Sequence, residues 1–259
     1  MINIKTDKEI KIMMHGGKIL AEVLLAVMDN VIPGVSELEI DALAERLIRE
    51  KGGESGFKKV DGYSHTICVS TNDVVVHGIP TNYIFKEGDV VGIDCGVYYE
   101  GFHTDMAETR RVKSKYLSPI SKRDQDIDIF LKNGKKALEA GIAVAKSGNK
   151  IGNISKSIQD IVEKEGNYSI VRTLIGHGVG RELHEEPEVP GFLIGKISDT
   201  PNLIPGITIA IEVIYNMGKK DVIYKNKDGW SISTKDKSIS GLFERSVLVG
   251  ENGPIILTK

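Results

Sequence analysis

The chain has 259 residues, 41% of them hydrophobic, which is enough to bury the core of one large domain or of two small ones. The 34 basic and 36 acidic residues leave a formal net charge of -2, which excludes a global field that would attract nucleic acid or an anionic membrane. Two cysteines, Cys68 and Cys95, are too few for a disulfide framework and lie in apolar runs, so we expect small buried side chains and a reducing compartment.

The N-terminal sequence "MINIKTDKEIKIMMHGG" mixes charged and apolar residues. It contains no uninterrupted apolar stretch of the length that a signal peptide or a membrane span needs. We therefore expect a soluble, cytoplasmic protein with no membrane partner and no direct nucleic-acid partner.

Two helices are predicted in the first fifty residues. Thr6 and Ser36 each begin a capping box, with a glutamate three residues later, and apolar residues with helical spacing follow in both cases. The first helix is expected to end at the Pro-Gly pair 33–34 and the second at the Gly-Gly pair 52–53. The patterns that come next predict strands at about residues 64–70, 73–76, 90–98 and 102–111.

The same order of elements then returns. A helix is predicted from Ser121 to about residue 145, followed by a second helix that ends near Gly166 and by further strands. "GDVVGID" at 88–94 matches "GITIAIE" at 206–212, with an acidic residue six positions after each glycine. We expect a single α+β domain over residues 1–259, built of two similar halves, about 1–115 and 116–259. The halves would share one antiparallel sheet, with a site near their pseudo-twofold axis.

Four carboxylates are predicted to face one another on these strands. Alternation along strand 206–214 places Glu212 opposite the isoleucine face, and Asp94 lies between Gly92 and Gly96 on its own face. A turn at 99–100 would make Asp94 and Asp105 direct cross-strand partners, whereas a turn at 100–101 would make them diagonal neighbours. Glu244 is the corresponding acid of the last strand.

Facing carboxylates on apolar strands are destabilising unless a cation lies between them. Asp94, Asp105, Glu212 and Glu244 carry four negative charges, which two divalent cations would balance. Oxygen ligands with little nitrogen favour Mn, Fe(II) or Co over a zinc site built from thiolates or histidines. The sequence therefore predicts a dinuclear metal centre.

The segment "GHGVGRELHEEPEVPG" at 176–191 could be a phosphate loop, a zinc-binding helix or the rim of a catalytic site. Pro187 and Pro190 end it before the helix that a phosphate loop requires. The zinc helix motif needs a second histidine four residues after His184, where Glu188 stands. We therefore interpret His177, at a strand end among glycines, as a metal ligand and His184 as a residue on the rim of the same site.

Four histidines remain. His77 ends an apolar strand, a position where a lone histidine is more often structural than catalytic. His103 shares a strand face with Asp105, and we expect it to be exposed rather than a partner of that acid. His15 and His65 carry no local signal.

Five motifs that follow one another along the chain indicate a protein family more specifically than any single residue does. They are "CVSTNDVVVHGIP", "GDVVGIDCGVYYEGFHTDMAET", "GHGVGRELHEEPEVP", "IAIEVIYNMG" and "DKSISGLFERSVLV". Over nearly the whole chain they resemble the type I methionine aminopeptidases of the creatinase/aminopeptidase "pita-bread" superfamily, peptidase family M24. The resemblance implies the pita-bread fold and five metal ligands, Asp94, Asp105, His177, Glu212 and Glu244. It further implies that His77 and His184 are catalytic histidines, and that Tyr63, Cys68 and Trp230 line a pocket for the methionine side chain.

The implied activity is the removal of N-terminal methionine from peptides and nascent proteins with a small second residue. The resemblance implies two divalent ions (Co, Mn, Fe(II) or Zn) that bridge a hydroxide, with Glu212 as ligand and proton shuttle. His184 would donate to the carbonyl oxygen and His77 would position the peptide, so both also bind substrate. A monomer is expected, and docking on the ribosome stays open.

The chain departs from the family pattern at four places. Val213 replaces a proline, Gly241-Leu242 replaces Ala-Gln, Arg245 replaces a histidine, and Leu183 replaces an aromatic residue and is expected to widen the pocket. Two alternatives therefore stay open. One is an Xaa-Pro aminopeptidase or dipeptidase, which usually carries an additional N-terminal domain; the other is a non-catalytic peptide-binding module, which typically lacks metal ligands.

Overall fold

The computed structural model describes residues 2–113 and 121–259. Thr6, Ser36 and Ser121 each accept a hydrogen bond from the backbone of the residue three positions later, so the first three helices begin at the predicted caps. None of the helices in the two described ranges is both long and apolar enough to cross a membrane. The α-helices are α1 (Asp7–Asp29), α2 (Glu37–Glu50), α3 (Lys122–Ala143) and α4 (Ile151–Gln159).

Strands make up most of the remaining regular structure. Two of the predicted strands appear as Ile67–Thr71 and Val74–Val76. The described strands are β1 (Glu54–Ser55), β2 (Ile67–Thr71), β3 (Val74–Val76), β4 (Val90–Tyr99), β5 (Phe102–Arg111), β6 (Ser169–Ile170), β7 (Gly176–Gly178), β8 (Glu185–Val189), β9 (Thr208–Asn216), β10 (Val222–Tyr224), β11 (Ile232–Thr234), β12 (Ser240–Gly250) and β13 (Gly253–Ile256).

One ten-stranded sheet dominates the fold. Its central order is β1-β4-β5-β12-β9-β7-β8, and β2, β6 and β13 add to β4, β9 and β12. All the described strand pairs are antiparallel, and a smaller sheet has the order β10-β11-β3. The predicted α+β class with an antiparallel sheet is therefore confirmed.

The helices bury one face of the large sheet. Ile93, Cys95 and Val97 of β4 pack with residues of α1 and α2. Farther along the same face, Ile211 of β9 and Phe243 of β12 pack with residues of α3 and α4. Because side chains alternate along a strand, the acids that stand between these apolar residues project from the opposite face, as predicted.

The hairpin between β4 and β5 settles which of the two predicted registers is correct. Glu100 and Gly101 form its turn, with φ of +46° and +91°, the backbone that a two-residue hairpin loop requires. Asp94 pairs with Ala107 and Gly96 pairs with Asp105. The two aspartates are therefore diagonal neighbours on one face of the sheet.

We infer that the chain forms one domain of two similar halves, because the strands of the first half continue directly into those of the second half in a single sheet, with β5 paired to β12. The corresponding glycines, Gly88 and Gly206, both have left-handed φ, +86° and +90°, just before the strands that carry Asp94 and Glu212. The expected boundary near residues 115 and 116 lies outside the described residues.

Candidate active site

Five neighbouring strands each contribute one side chain to a single cavity. In the order of the sheet, β4 carries Asp94, β5 carries Asp105, β12 carries Glu244, β9 carries Glu212 and β7 carries His177. Glu244 and Glu212 are direct cross-strand partners. The structure thus brings together all five residues for which a metal-binding role is expected.

The polar atoms of these side chains lie close together. One ligand atom each from Asp105, His177 and Glu244 lies within 4.8 Å of the others, and His177 Nε2 is 3.4 Å from Glu212 Oε1. Asp94 Oδ1 and Glu244 Oε1 are buried, and neither has a hydrogen-bond partner among the described residues. Buried oxygens without a donor are costly, so these atoms fit the position of cation ligands.

The electrostatics of the cluster agree with this geometry. Desolvation in the cavity and the charge of Glu212 raise the pKa of Asp94 to about 7. Desolvation and the charge of Asp94 raise the pKa of Asp105 well above its usual range, and desolvation and the charge of Asp105 do the same for Glu244. Such carboxylates are ionised together at neutral pH only with compensating positive charge, and the residues therefore fit hard divalent cations.

The orientation of His177 suits it to ligation. Its Nδ1 lies 2.8 Å from the carbonyl oxygen of Gly178, so Nδ1–H donates to that oxygen and the lone pair is left on Nε2. Nε2 is the atom that faces the carboxylates. A backbone carbonyl that fixes the tautomer of a histidine is the usual support of a metal-binding imidazole.

His77 and His184 line the same cavity. The imidazole rings of His184 and His177 are 4.4 Å apart, and His184 lies at the exposed rim. Desolvation lowers the pKa of His77, and desolvation with the nearby His177 and His77 lowers the pKa of His184. Both rings are therefore neutral at physiological pH and can donate an N–H to a substrate.

An apolar cup opens next to the acids. Tyr63 and Trp230 meet edge to face at 5.1 Å, and the Tyr63 hydroxyl donates to the carbonyl of Ile67 at 2.8 Å, so its polar end is satisfied inside the protein. Cys68 is a free, buried thiol in the same wall. The structure therefore places all three expected pocket residues together, beside a cavity of about 200 Å³.

Phe57 and Val60 also line this cup, and the sequence pattern did not identify them. The only local signal is their spacing, six and three residues before Tyr63. The ring of Phe57 also fills the space over Gly96, which lies two positions from Asp94 on the same strand face, because a Cβ on Gly96 would lie 2.7 Å from Phe57 Cε1.

The expectation that His103 is exposed is wrong. His103 is only 5% exposed, because the segment around Gly56 and the loop around Gly180 cover this end of the hairpin. Its ring lies 4.8 Å from that of Tyr98. Desolvation lowers the pKa of His103 to about 4. His15 and His65 do not line the cavity.

Two of the departures from the family pattern lie away from the cavity. Arg245 points to the opposite face of β12, where it donates to the carbonyls of Ala107 and Glu244 at 3.1 and 2.7 Å and to Glu108 at 2.8 Å. Val213 is buried in the core below the sheet. Only Leu183 and Leu242 face the cavity.

Comparison with known proteins gives matches over the whole chain. A model of "Metallopeptidase family M24" matches residues 11–251. The methionine aminopeptidase of Clostridium perfringens is 39% identical over 258 residues, covering 100% of this chain and 99% of the relative. The crystal structure of methionine aminopeptidase from Thermotoga maritima has a TM-score of 0.92 at 36% identity and covers 100% of both chains.

A more distant likeness shows the fold alone. The Xaa-Pro dipeptidase of Bacillus anthracis has a TM-score of 0.73 at 23% identity, with 99% of this chain and 62% of that chain covered. Together with the methionine aminopeptidase structure, this likeness confirms the pita-bread fold that the sequence motifs implied.

Proposed function

The chain belongs to metallopeptidase family M24, and we propose that it is an aminopeptidase that removes N-terminal methionine from peptides and nascent proteins with a small second residue. The observation that carries this proposal is the position of the five expected ligands beside an apolar cup in one cavity. An amino-terminal residue can place its side chain in the cup while its α-ammonium group and first peptide bond lie at the carboxylates.

In this proposal, the ligands hold two divalent ions, which are Co, Mn, Fe(II) or Zn. Four carboxylates balance the charge of two such ions, and the orphaned oxygens of Asp94 and Glu244 would each gain a cation. When bound, divalent ions lower the pKa of water and polarise the peptide carbonyl.

Three side chains have roles beyond ligation. Glu212 accepts the proton of the attacking water and passes it to the leaving amine, since its side chain lines the cavity and stays 14% exposed, whereas Asp105 and Glu244 are buried. His184 donates its N–H to the carbonyl oxygen as negative charge develops there. His77 donates to the scissile peptide and fixes its position.

The cup explains the choice of methionine. The wall of the cup is apolar and suits the unbranched thioether side chain of methionine. It consists of Tyr63, Cys68, Trp230, Phe57 and Leu183. His77 and His184 stand at the cavity beside the acids, so a bulky second residue would meet them. The carboxylates attract a free α-ammonium group and disfavour a blocked one.

The two alternatives are less well supported. The Xaa-Pro dipeptidase matches this chain over 62% of its own length, whereas the methionine aminopeptidases match from end to end. A non-catalytic binding module has no need of five ligands around one cavity.

The test compares four peptides in the presence of Mn(II) or Co(II): Met-Ala-Ser, acetyl-Met-Ala-Ser, Leu-Ala-Ser and Ala-Pro-Ser. We expect release of methionine from the first, less leucine from the third, and no cleavage of the acetylated peptide. Preferential release of alanine from Ala-Pro-Ser would support the Xaa-Pro alternative. No release from any peptide by protein with two bound ions would support the binding module.

A further inference from the structure

The first residues of the chain lie beside the start of β9 and reach the rim of the active site. Ile4 forms a bridge with Ile207, and the backbone N–H of Lys5 donates to the carbonyl of Gly206 at 2.9 Å. From this position the Lys5 side chain extends to Glu185, and Nζ lies 2.5 Å from Oε2. Both side chains are only 4% exposed, so the pair is a buried one.

Glu185 also holds the turn that carries the residues of the rim. Its Oε1 accepts a hydrogen bond from the backbone N–H of Glu182 at 3.2 Å. Between these two residues lie Leu183, which lines the apolar cup, and His184, the expected oxyanion donor. One carboxylate therefore joins Lys5 to the backbone of the turn.

The lysine stem packs directly on the start of this turn. Gly180 donates its N–H to the carbonyl of Glu182 at 3.0 Å, and a Cβ on Gly180 would lie 2.4 Å from Lys5 Cε. Glycine at this position is what lets the stem pass. Desolvation would raise the pKa of Glu185, but the hydrogen bond and the charge of Lys5 hold it below its usual range. The carboxylate is therefore ionised at neutral pH and depends on Lys5 for its countercharge.

We propose that Lys5 is a positioning residue for the reaction: through the carboxylate of Glu185 it fixes the turn 182–185, and so the places of Leu183 and His184. The roles of those two residues rest on the proposed function, whereas the fixing of the turn does not. Removal of Lys5 would leave the buried charge of Glu185 uncompensated. The Glu185 side chain would then turn toward solvent, its hydrogen bond to the backbone of Glu182 would break, and the turn 182–185 would shift.

The same turn offers a matched control. Arg181 pairs with Glu9, again between the rim and the N-terminal region, but the Arg181 side chain is 65% exposed. Exposed ion pairs contribute little because water and salt screen them. We expect Arg181→Gln to leave kcat, KM and thermal stability unchanged.

Two variants separate positioning from simple stabilisation. Lys5→Met should lower kcat for Met-Ala-Ser by about 10- to 100-fold, the range expected when a catalytic group moves by up to ~1 Å, with the metal content retained. In Lys5→Met/Glu185→Met, an apolar pair replaces the charges, which is often neutral for stability. Because Glu182 still lacks its acceptor, we expect the melting temperature to recover while kcat stays low. Recovery of both would show a purely structural pair and overturn the proposal.

A readout that does not depend on catalysis completes the test. Hydrogen exchange over residues 181–185 and the imidazole NMR signals of His184 and His65 should be compared between the wild-type protein and Lys5→Met. We expect faster exchange in the turn and a shifted His184 signal, with the His65 signal unchanged. An unaltered turn would overturn the proposal whether or not the protein cleaves peptides. Absence of methionine release by the wild-type protein would count against the proposed function alone.

Discussion

Gly96→Ala tests the packing that joins the metal-binding face to the cup. The added Cβ would lie 2.7 Å from Phe57 Cε1 and 2.9 Å from Cδ1, whereas carbon atoms normally approach to about 3.5–4.0 Å, so the ring must retreat by about 1 Å. Phe57 is 6% exposed and packs in the cup with Tyr63 and Leu183. Overpacking of this kind costs about 1–3 kcal/mol.

The effect should be visible in both stability and substrate binding. At about 2–4 °C per kcal/mol for a domain of this size, the melting temperature should fall by about 2–12 °C. A ring that retreats into the cup takes space from the methionine side chain, so KM for Met-Ala-Ser should rise by about 10-fold or more, with the bound metal retained. Thermal melts, steady-state kinetics and metal analysis measure the three quantities.

Two controls make the result interpretable. The double variant Gly96→Ala/Phe57→Leu removes the ring atoms and should regain most of the lost stability. Gly191→Ala places its Cβ no closer than 3.4 Å to any neighbour and should change little. If Gly96→Ala had the melting temperature and the KM of the wild type, close packing of Phe57 on Gly96 would be contradicted.

Three further outcomes are expected. His184→Ala should lower kcat by about 100- to 1000-fold with the metal retained, whereas His177→Ala should also lose metal; full metal in both variants would contradict the placement of His177. Leu183→Phe should narrow the cup and lower the Leu-Ala-Ser to Met-Ala-Ser ratio of kcat/KM, and an unchanged ratio would exclude Leu183 as a determinant. Because Lys5 holds the pKa of Glu185 below its usual value of about 4.3, the pair stabilises the fold above that value and loses this contribution as the pH falls through the lower folded-state pKa. Thermal melts from pH 3 to 7 should therefore show a shallower acid loss in Lys5→Met/Glu185→Met than in the wild type, and parallel curves would contradict this.

Local rules predicted much of the fold. Capping boxes located the starts of α1 and α2, the predicted start at Ser121 is that of α3, and period-two alternation separated Glu212 and Glu244 from the apolar faces of their strands. Turn chemistry reduced the hairpin to two registers, and both kept Asp94 near Asp105. Charge alone then indicated that the facing acids need a cation.

Contacts between distant segments could not be predicted in the same way. The burial of His103 depends on residues near Gly56 and Gly180, which approach the hairpin only in the folded chain. Phe57 belongs to a short helical turn with no periodic pattern, and the ion pair of Lys5 with Glu185 joins residues that are 180 positions apart in the sequence. Tertiary packing, not local preference, decides where these side chains lie.

In the proposed function, methionine release depends on metal that five side chains on adjacent strands hold. The most direct measurement is the rate of methionine release from Met-Ala-Ser by exhaustively chelated protein, followed as Mn(II) or Co(II) is added and the bound metal is counted. We expect no methionine release by the chelated protein and a rate that rises with bound metal up to two ions per chain. Asp105→Asn should bind less metal and release methionine more slowly than the wild-type protein. Full activity after complete chelation, or unchanged metal binding and turnover in Asp105→Asn, would contradict the account.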